Sequence, residues 1–261
     1  MVDFLSAKVW LQDMSWTEVE EILRKNDVAI VPVGSLEQHG WHLPEGTDTM
    51  VAIRLAEDVA KKMEAVVVPP VWFGWSPHHM ALPGTVSVRP EILVEYVSDI
   101  CRSLVHHGFK KIVLINGHRI VNISWLQLVA AKIQEETEAR VLIVDPAYMG
   151  KTAGEKLGFG TVGHADELET SHMLFIHPEL VQMKKAKNYK QPPRKLYHTD
   201  PRETEDTLVY VPSRAKDIGK LRDISGGGTG EPLKATSDAG RQLHDHIVNN
   251  ICKALEEFGR G

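Results

Sequence analysis

The sequence has no apolar run long enough to span a bilayer, and only two of its 261 residues are cysteines. A membrane-spanning helix needs about 20 consecutive apolar residues, so we expect no membrane span. Cys101 and Cys252 are not at CxxC spacing, and we expect buried thiols in a reducing compartment rather than a disulfide. The N-terminus also lacks a basic segment followed by an apolar one, which favours a cytoplasmic protein.

Positive charge is not in excess, because 30 Lys and Arg stand against 35 Asp and Glu, for a net charge of −5. Nucleic acids and anionic membranes attract basic surfaces, so we expect neither as a partner. The 43% hydrophobic and 25% charged fractions are typical of a globular chain with a sizeable core. No repeat or linker divides the chain, which predicts a single domain over residues 1–261.

Four short apolar runs alternate with longer segments of helical periodicity. Their hydrophobicity is continuous rather than alternating, as is typical of strands buried on both faces of a parallel sheet. Strand–helix–strand units predict right-handed crossovers and an α/β fold, a three-layer α/β/α sandwich with a mainly parallel central sheet. The predicted strands are residues 28–33, 65–70, 111–116 and 140–145.

The second half of the chain is less regular. A helix is predicted to begin near Glu167 and to stop before Pro178, and a final amphipathic helix covers residues 237–258. The polar stretch 184–220 between them predicts a long surface excursion, which in compact domains is usually functional or part of an interface. The glycine-rich segment 225–232 follows no strand and lacks phosphate-loop spacing, so we interpret it as a flexible turn.

Polar side chains follow the first and third predicted strands. The stretch "GSLEQHGWHLPEGTD" contains Glu37, His39 and Asp48, and "NGH" contains His118. Open parallel sheets bind ligands beyond the carboxyl ends of their strands. Imidazole and carboxylate together suit Zn²⁺, Mn²⁺ or Fe²⁺, so the four side chains predict a metal site. The competing interpretation is that Asp48 caps a helix and that the histidines lie in surface loops.

A third polar cluster, "GHADELETSH", contains His164, Glu167 and Glu169 at the predicted start of a helix. Acidic residues in a first helical turn stabilise the helix dipole, so part of this cluster has a structural explanation. His164 precedes the helix, and a loop histidine beside an activated water can act as a proton shuttle. His164 is therefore the candidate catalytic residue.

Residues after the second and fourth strands, and beside His118, are candidates for contact with a small-molecule substrate. Aromatic side chains there can hold a flat or cyclic compound, although the same residues also fit a core role. Arg119 either neutralises an anionic substrate or forms a surface salt bridge. The candidates are Trp75, Ser76, His79, Arg119 and Tyr148. Seven histidines are interpreted as solvated or helix-end residues without a role: His106, His107, His172, His177, His198, His244 and His246.

The stretch "VPVGSLEQHGWHLPEGTD" resembles the opening motif of the creatininase family. The motifs "LPGT", "INGH", "HADELETS" and "GTGEPLKAT" recur in that family in the same order. The likeness runs from about Trp16 to the final helix. It implies an α/β/α metallohydrolase with two divalent ions, zinc or manganese, a hexameric assembly, and a cyclic amide, formamide or related compound as substrate.

The resemblance also implies a role for individual residues. Glu37 matches a ligand of one ion and His39 a ligand of the other, and Asp48 matches the bridging carboxylate. His118 would join His39 on the second ion. His164 matches the histidine that moves a proton during ring opening.

The chain departs from creatininase itself at two places beside these residues. Creatininase has a metal-binding glutamate where this chain has Ile120, and a glutamate where this chain has Gly163. We hypothesise that Glu167 replaces the missing carboxylate on the first ion, and that Glu169 orders the loop behind it. Glu169 is the next metal-ligand candidate after Glu167. Because the differences surround the ions, we expect a substrate other than creatinine.

Three functions are compatible with these residues. The first is a metal-dependent amidohydrolase acting on a cyclic amide or formamide C–N bond. The second is hydrolysis of a C–C bond in a cyclic diketone such as an inosose derivative, which would release no ammonia, amine or formate. The third is a non-catalytic metal- or ligand-binding protein. The "HRIV" sequence, which begins at His118 and lacks the glutamate of creatininase, favours this function.

Overall fold

The computed structural model describes residues 8–192, 196–200 and 209–259. Its centre is a four-stranded sheet in which every pairing is parallel. In chain order its strands are β1 (Val28–Val33), β2 (Val66–Val67), β3 (Lys111–Asn116) and β4 (Arg140–Val144). Their spatial order is β2-β1-β3-β4. A second, two-stranded parallel pair joins β5 (Tyr197–His198) to β6 (Val209–Tyr210).

Helices cover both faces of the four-stranded sheet. The helices of the described residues are α1 (Trp16–Leu23), α2 (Thr47–Met63), α3 (Pro90–His106), α4 (Arg119–Glu136), α5 (Pro146–Met149), α6 (Lys151–Lys156), α7 (Glu167–Ile176), α8 (Ala215–Gly219), α9 (Arg222–Ser225) and α10 (Ser237–Gly259). Successive side chains of a strand point to opposite faces. Ile30 therefore packs in one core with Leu55 of α2 and Leu243 of α10. Val31 packs in the other core with Trp125 of α4. The predicted three-layer α/β/α sandwich is confirmed.

The strand predictions differ from the structure mainly at β2. All six residues of β1 are buried, as the continuous hydrophobic pattern predicted. The predicted strand 65–70 is reduced to Val66–Val67. Pro69 and Pro70 have no N–H group to donate, so they cannot extend the ladder. β4 ends at Val144 because Asp145 precedes the proline that opens α5.

The second half contains the two predicted helices, α7 and α10, with nearly the predicted bounds. Within the stretch 184–220, residues 193–195 and 201–208 lie outside the described part of the chain. The glycine-rich segment is packed rather than an exposed turn, because residues 225–229 are buried. Gly226 and Gly227 have φ values of 68° and 95°, a region that favours glycine.

The two cysteines, Cys101 and Cys252, are buried and free, as expected from their spacing. Among the described residues, every helix is too short or too polar to cross a bilayer.

Candidate metal centre

Four predicted metal ligands meet at the carboxyl edge of the sheet, and all four are buried. Glu37 and His39 lie in the loop after β1, Asp48 lies in the first turn of α2, and His118 directly precedes α4. His39 Nε2 lies 3.0 Å from Asp48 Oδ1. His118 Nδ1 lies 3.1 Å from Asp48 Oδ2 and 3.2 Å from Glu37 Oε1. Asp48 therefore stands between two imidazoles.

Two glycines allow the loops after β1 and β3 to approach α2 this closely. A Cβ atom on Gly34 would lie 2.1 Å from Thr49 Oγ1. A Cβ atom on Gly117 would lie 2.0 Å from the carbonyl oxygen of Asp48. Neither space admits a side chain, so the position of Asp48 between the two loops depends on both glycines.

The third carboxylate of the cluster comes from Glu169, not from Glu167. Glu169 Oε2 lies 3.7 Å from His39 Nε2 and accepts the Ala165 N–H at 2.6 Å. Both oxygens of Glu167 accept backbone N–H groups instead. The structure thus does not bring Glu167 to the cluster, contrary to the hypothesis that it replaces the carboxylate missing at Ile120. Residues two apart on a helix point in nearly opposite directions, so only one of the pair can face His39.

The pairing of the two imidazoles also differs from the one that the resemblance implied. His118 faces Glu37 and one oxygen of Asp48, whereas His39 faces the other oxygen of Asp48 and Glu169. The orientation of the His39 ring explains this, because its Nδ1 lies 2.9 Å from the carbonyl oxygen of Glu37 and turns Nε2 toward Asp48. His39 and His118 therefore face different oxygens of Asp48 and different glutamates.

The buried carboxylates and imidazoles shift each other's pKa values. Burial alone would raise the pKa of Glu37, but the positive charge of His118 holds it well below its usual value. Burial opposes a charge on His39, yet Asp48 and Glu169 raise its pKa to about 10. Without a metal ion, protonated imidazoles supply the positive charge that the carboxylates require.

The donor atoms fit a divalent metal ion. Glu37 Oε1 and Asp48 Oδ2 are buried and accept no hydrogen bond among the described residues, although an unsatisfied buried carboxylate oxygen is costly. Imidazole and carboxylate donors suit Zn²⁺, Mn²⁺ and Fe²⁺. Ligand atoms lie within 4.8 Å of one another in three groups: Glu37, His39 and Asp48; His39, His164 and Glu169; and Glu37, His79 and His164.

His164, the predicted proton shuttle, lies beside this cluster. Its Nδ1 is 3.8 Å from Glu37 Oε1. Thr229 holds its backbone from both sides, since the His164 N–H donates to Thr229 Oγ1 at 2.9 Å and the Thr229 N–H donates to the His164 carbonyl at 2.7 Å. Burial, followed by the charge of His39, lowers the pKa of His164 to about 3, so the ring is neutral at neutral pH.

The substrate candidates fall into two groups. Trp75, His79 and Arg119 line a cleft of about 1410 Å³ that opens over the cluster. Ser76 lies behind the ligands, where its hydroxyl contacts Ser35 Oγ at 2.6 Å and His118 Nε2 at 3.4 Å. A position behind the ligands suits orientation of His118 rather than substrate contact.

Tyr148, the fifth substrate candidate, is not among the residues that line the cleft but stacks with Arg119, which is. The guanidinium carbon of Arg119 lies 4.7 Å from the centre of the Tyr148 ring. The same guanidinium forms an ion pair with Asp200 and lies 3.9 Å from Asp145. The charge of Arg119 is thus balanced within the protein, which favours the salt-bridge interpretation over binding of an anionic substrate. His79 also lines the cleft. Burial is the largest effect on its pKa and holds that pKa well below the usual value, so the His79 ring is neutral.

Two histidines interpreted as solvated or helix-end residues are buried instead. His172 Nε2 lies 2.8 Å from His244 Nδ1, and His244 Nε2 lies 3.0 Å from Asp58 Oδ2. The contacts join α7, α10 and α2. The sequence did contain a signal, because His244 falls on the apolar stripe of α10 beside Leu243 and Ile247.

Gln38 and Thr229 are site residues that the sequence reasoning missed. Gln38 stands between two predicted ligands in "EQH", and Thr229 stands in the "GTGEP" motif. Both positions lie within motifs of the family resemblance. Glutamine and threonine are not preferred metal ligands, so a search for carboxylate and imidazole side chains did not identify them.

The α/β/α sandwich and the buried cluster at its sheet edge define an α/β protein with a site suited to divalent metal ions. The chain belongs to the creatininase family, since the family model described as creatinine amidohydrolase matches residues 12–255. Its relatives are hydrolases that are named for different substrates.

Two curated relatives and one solved structure illustrate the family. A 3-dehydro-scyllo-inosose hydrolase of Thermotoga maritima is 30% identical over 200 residues, which are 68% of this chain and 59% of that relative. This chain thus matches less than two thirds of that relative's length. A creatinine amidohydrolase of Pseudomonas putida is 28% identical over 83% of this chain and 92% of its own length. The structure of a manganese form of creatininase is similar with a TM-score of 0.75 and 25% identity, over 96% of this chain and 98% of that one.

Proposed function

We propose that this chain is a metal-dependent amidohydrolase that cleaves the C–N bond of a cyclic amide or formamide. The observation that carries the proposal is the position of Asp48, whose two oxygens face His39 and His118 separately. A carboxylate placed in this way is suited to bridge two ions. Glu37 faces His118, and Glu169 faces His39. Each imidazole therefore has one carboxylate partner besides Asp48.

Each ion would have its own set of ligands. Glu37, Asp48 and His118 would hold one ion, and His39, Asp48 and Glu169 would hold the other. Zn²⁺ and Mn²⁺ both fit these donors, and Fe²⁺ does as well. When bound, such ions supply Lewis-acid polarisation of a carbonyl group and activation of water at neutral pH.

His164 is the residue that would move the proton. It is neutral at neutral pH and stands 3.8 Å from Glu37 at the rim of the cluster, so it can accept a proton from the attacking water. The same ring would then deliver the proton to the leaving nitrogen. A positioned general acid–base group contributes about 10²–10⁴ in rate. Replacement of His164 should therefore reduce turnover far more than metal content.

The cleft over the cluster is where the substrate would bind. Trp75 and His79 form part of its wall, and Arg119 is engaged with Asp200. Its volume of about 1410 Å³ exceeds the roughly 300–1,000 Å³ of typical small-molecule sites. The cleft therefore also admits compounds larger than creatinine.

Hydrolysis of a C–C bond in a cyclic diketone is the second candidate. The 30% identity with the Thermotoga maritima inosose hydrolase favours it. The same ligands and the same shuttle would serve, but the leaving atom would be carbon. The third possibility, a non-catalytic binding protein, is less well supported, because Glu169 offers the carboxylate that "HRIV" lacks.

A metal and substrate screen tests the proposal. The metal content of the purified protein should be two ions per chain by elemental analysis. Cyclic amides, formamides and inosose derivatives would then be offered to the wild type and to His164→Gln. Release of ammonia, amine or formate supports the amidohydrolase, whereas an acid product without them supports C–C cleavage. Bound metal without turnover on any compound would favour the binding protein. A cytoplasmic location and a hexameric assembly belong to the same proposal, and light scattering measures the assembly.

A further inference from the structure

We propose that Gln38 is a positioning residue that fixes the tautomers of two imidazoles at the metal centre. In this arrangement His79 is excluded from metal binding, and His164 presents an unprotonated Nδ1 to the cluster. The inference rests on the proposed function for the role of His164. Its geometric part, the two tautomers, stands independently of any activity.

The orientation of the Gln38 amide follows from its neighbours. The N–H of Gly40 donates to Gln38 Oε1 at 3.1 Å, which identifies the oxygen and leaves Nε2 as the NH₂ group. Gly227 closes the space beside this oxygen, since a Cβ atom there would lie 2.5 Å from Oε1. Gln38 is itself buried, so its amide is held in one orientation.

The amide orientation determines the tautomer of His79. Gln38 Nε2 lies 2.6 Å from His79 Nδ1. Because the NH₂ group can only donate, Nδ1 must be the acceptor, and a neutral imidazole then carries its proton on Nε2. That Nε2–H faces Glu37 Oε1 at 3.3 Å. To ligate a metal ion, Nε2 would have to pass its proton to Nδ1, which faces the NH₂ group of Gln38, so the group of Glu37, His79 and His164 does not form a third metal site.

The backbone of Gln38 determines the tautomer of His164. His164 Nε2 contacts the carbonyl oxygen of Gln38. A carbonyl oxygen only accepts, so Nε2 carries the proton and Nδ1 has the free lone pair. Gln38 Nε2 also lies 3.0 Å from His164 Nε2, but two donors face each other there and form no hydrogen bond. Nδ1, which faces Glu37, is therefore the atom that takes and returns the proton.

Thr85 connects Gln38 to the segment that contains His79 through two hydrogen bonds. Its Oγ1 accepts the Gln38 N–H at 3.1 Å and donates to the His79 carbonyl at 3.2 Å. Thr85 is the last residue of "LPGT", and Gly227 belongs to the glycine-rich segment. Two motifs without a role at the metal ions thus hold Gln38 in place.

Nitrogen-15 NMR of the metal-free protein, labelled at histidine, tests the inference without a substrate. The signals of His79 and His164 are assigned by their loss in His79→Gln and His164→Gln. We expect protonated Nε2 and unprotonated Nδ1 on both rings of the wild type. In Gln38→Glu the introduced carboxylate accepts from His79, so the shifts of its two nitrogens should exchange. In Gln38→Met, which offers neither donor nor acceptor, they should move to intermediate values.

His164 is the internal control, because the carbonyl that fixes its tautomer remains in both variants. Its two shifts should stay as in the wild type. The inference is overturned if His79 carries its proton on Nδ1 in the wild type, or if its shifts are the same in Gln38→Glu and Gln38→Met as in the wild type. These outcomes are independent of turnover, so failure of the tautomer assignment is distinct from failure of the proposed activity.

Discussion

Glu167 accepts the backbone N–H of Glu231 at 2.6 Å through its Oε2 atom. Its other oxygen accepts the N–H of Gly160 at 2.8 Å. One buried carboxylate at the start of α7 thus joins two loops that border the cleft. Hydrogen bonds to a charged acceptor are about twice as strong as neutral ones. Glu167 therefore joins backbone segments, and in the proposed function Glu169 is the metal ligand of the pair.

The first prediction compares these two glutamates. Glu169→Gln should lower the metal content from two ions per chain to about one, because His39 then has only Asp48 as a carboxylate partner. Glu167→Gln should keep both ions but lower the melting temperature, since an amide can satisfy only one of the two N–H groups. Elemental analysis and thermal unfolding on the same samples measure both effects. Loss of an ion from Glu167→Gln with full content in Glu169→Gln would reverse the assignment.

Sequence alone placed both glutamates at the start of a helix and favoured Glu167, whereas the structure brings Glu169 to the cluster. They are two residues apart, so the choice depends on how α7 is rotated relative to the loop after β1. That rotation is set by tertiary packing, for example by Met173, which is fully buried in a small core with Leu43. The meeting of Asp48 with His39 and His118, in contrast, followed from their places at strand ends and at the start of a helix.

In the fold, too, features with a local sequence signal were predicted, and features that depend on tertiary packing were not. Continuous apolar runs predicted β1 and β3 to the residue, because strands buried on both faces have a local signature. The burial of His172 and His244 was missed, since each alone is a polar residue on a helix. Only the crossing of α7 and α10 supplies the partner that makes their burial possible.

The second prediction concerns acid stability through His172. Burial lowers its pKa to about 3, from about 6.5 in an unfolded chain. Between these values the unfolded state binds more protons than the native state, so stability falls as the pH falls below about 6.5. The loss from this residue approaches about 1.4 kcal/mol per pH unit. Urea unfolding of His172→Gln between pH 7 and pH 5 should show a correspondingly smaller pH dependence.

The exposed His106 provides the control for that series. His106→Gln removes an exposed imidazole, so it separates the loss of a histidine as such from the loss of the buried His172. An equal pH dependence in His172→Gln and the wild type would mean that His172 does not stay neutral in the native state.

The third prediction concerns metal removal. Chelation should lower the melting temperature of the wild type, because a ligand that binds only the native state stabilises it. Added Zn²⁺ or Mn²⁺ should restore it. Asp48→Asn removes the carboxylate that we propose both ions share, so its melting temperature should hardly respond to chelator. A chelator effect of equal size in both proteins would place the stabilising ion elsewhere.

The fourth prediction tests the packing of α10 on α7, which carries Glu169. A Cβ atom on Gly240 would lie 1.8 Å from the carbonyl oxygen of Ser171, so Gly240→Ala must push the helices apart. Overpacking of this kind costs about 1–3 kcal/mol or more. At about 2–4 °C per kcal/mol, thermal unfolding should show a loss of several degrees.

Gly154 in α6 provides the matched glycine. A Cβ atom there meets nothing closer than Phe159 at 3.7 Å, an ordinary contact. Gly154→Ala should therefore raise stability by up to about 1 kcal/mol, through helix propensity and a less flexible unfolded chain. Because the two substitutions add the same methyl group to a helix, the opposite signs isolate the contact with Ser171. A loss of similar size in both variants would show that close packing of α10 on α7 is not the cause.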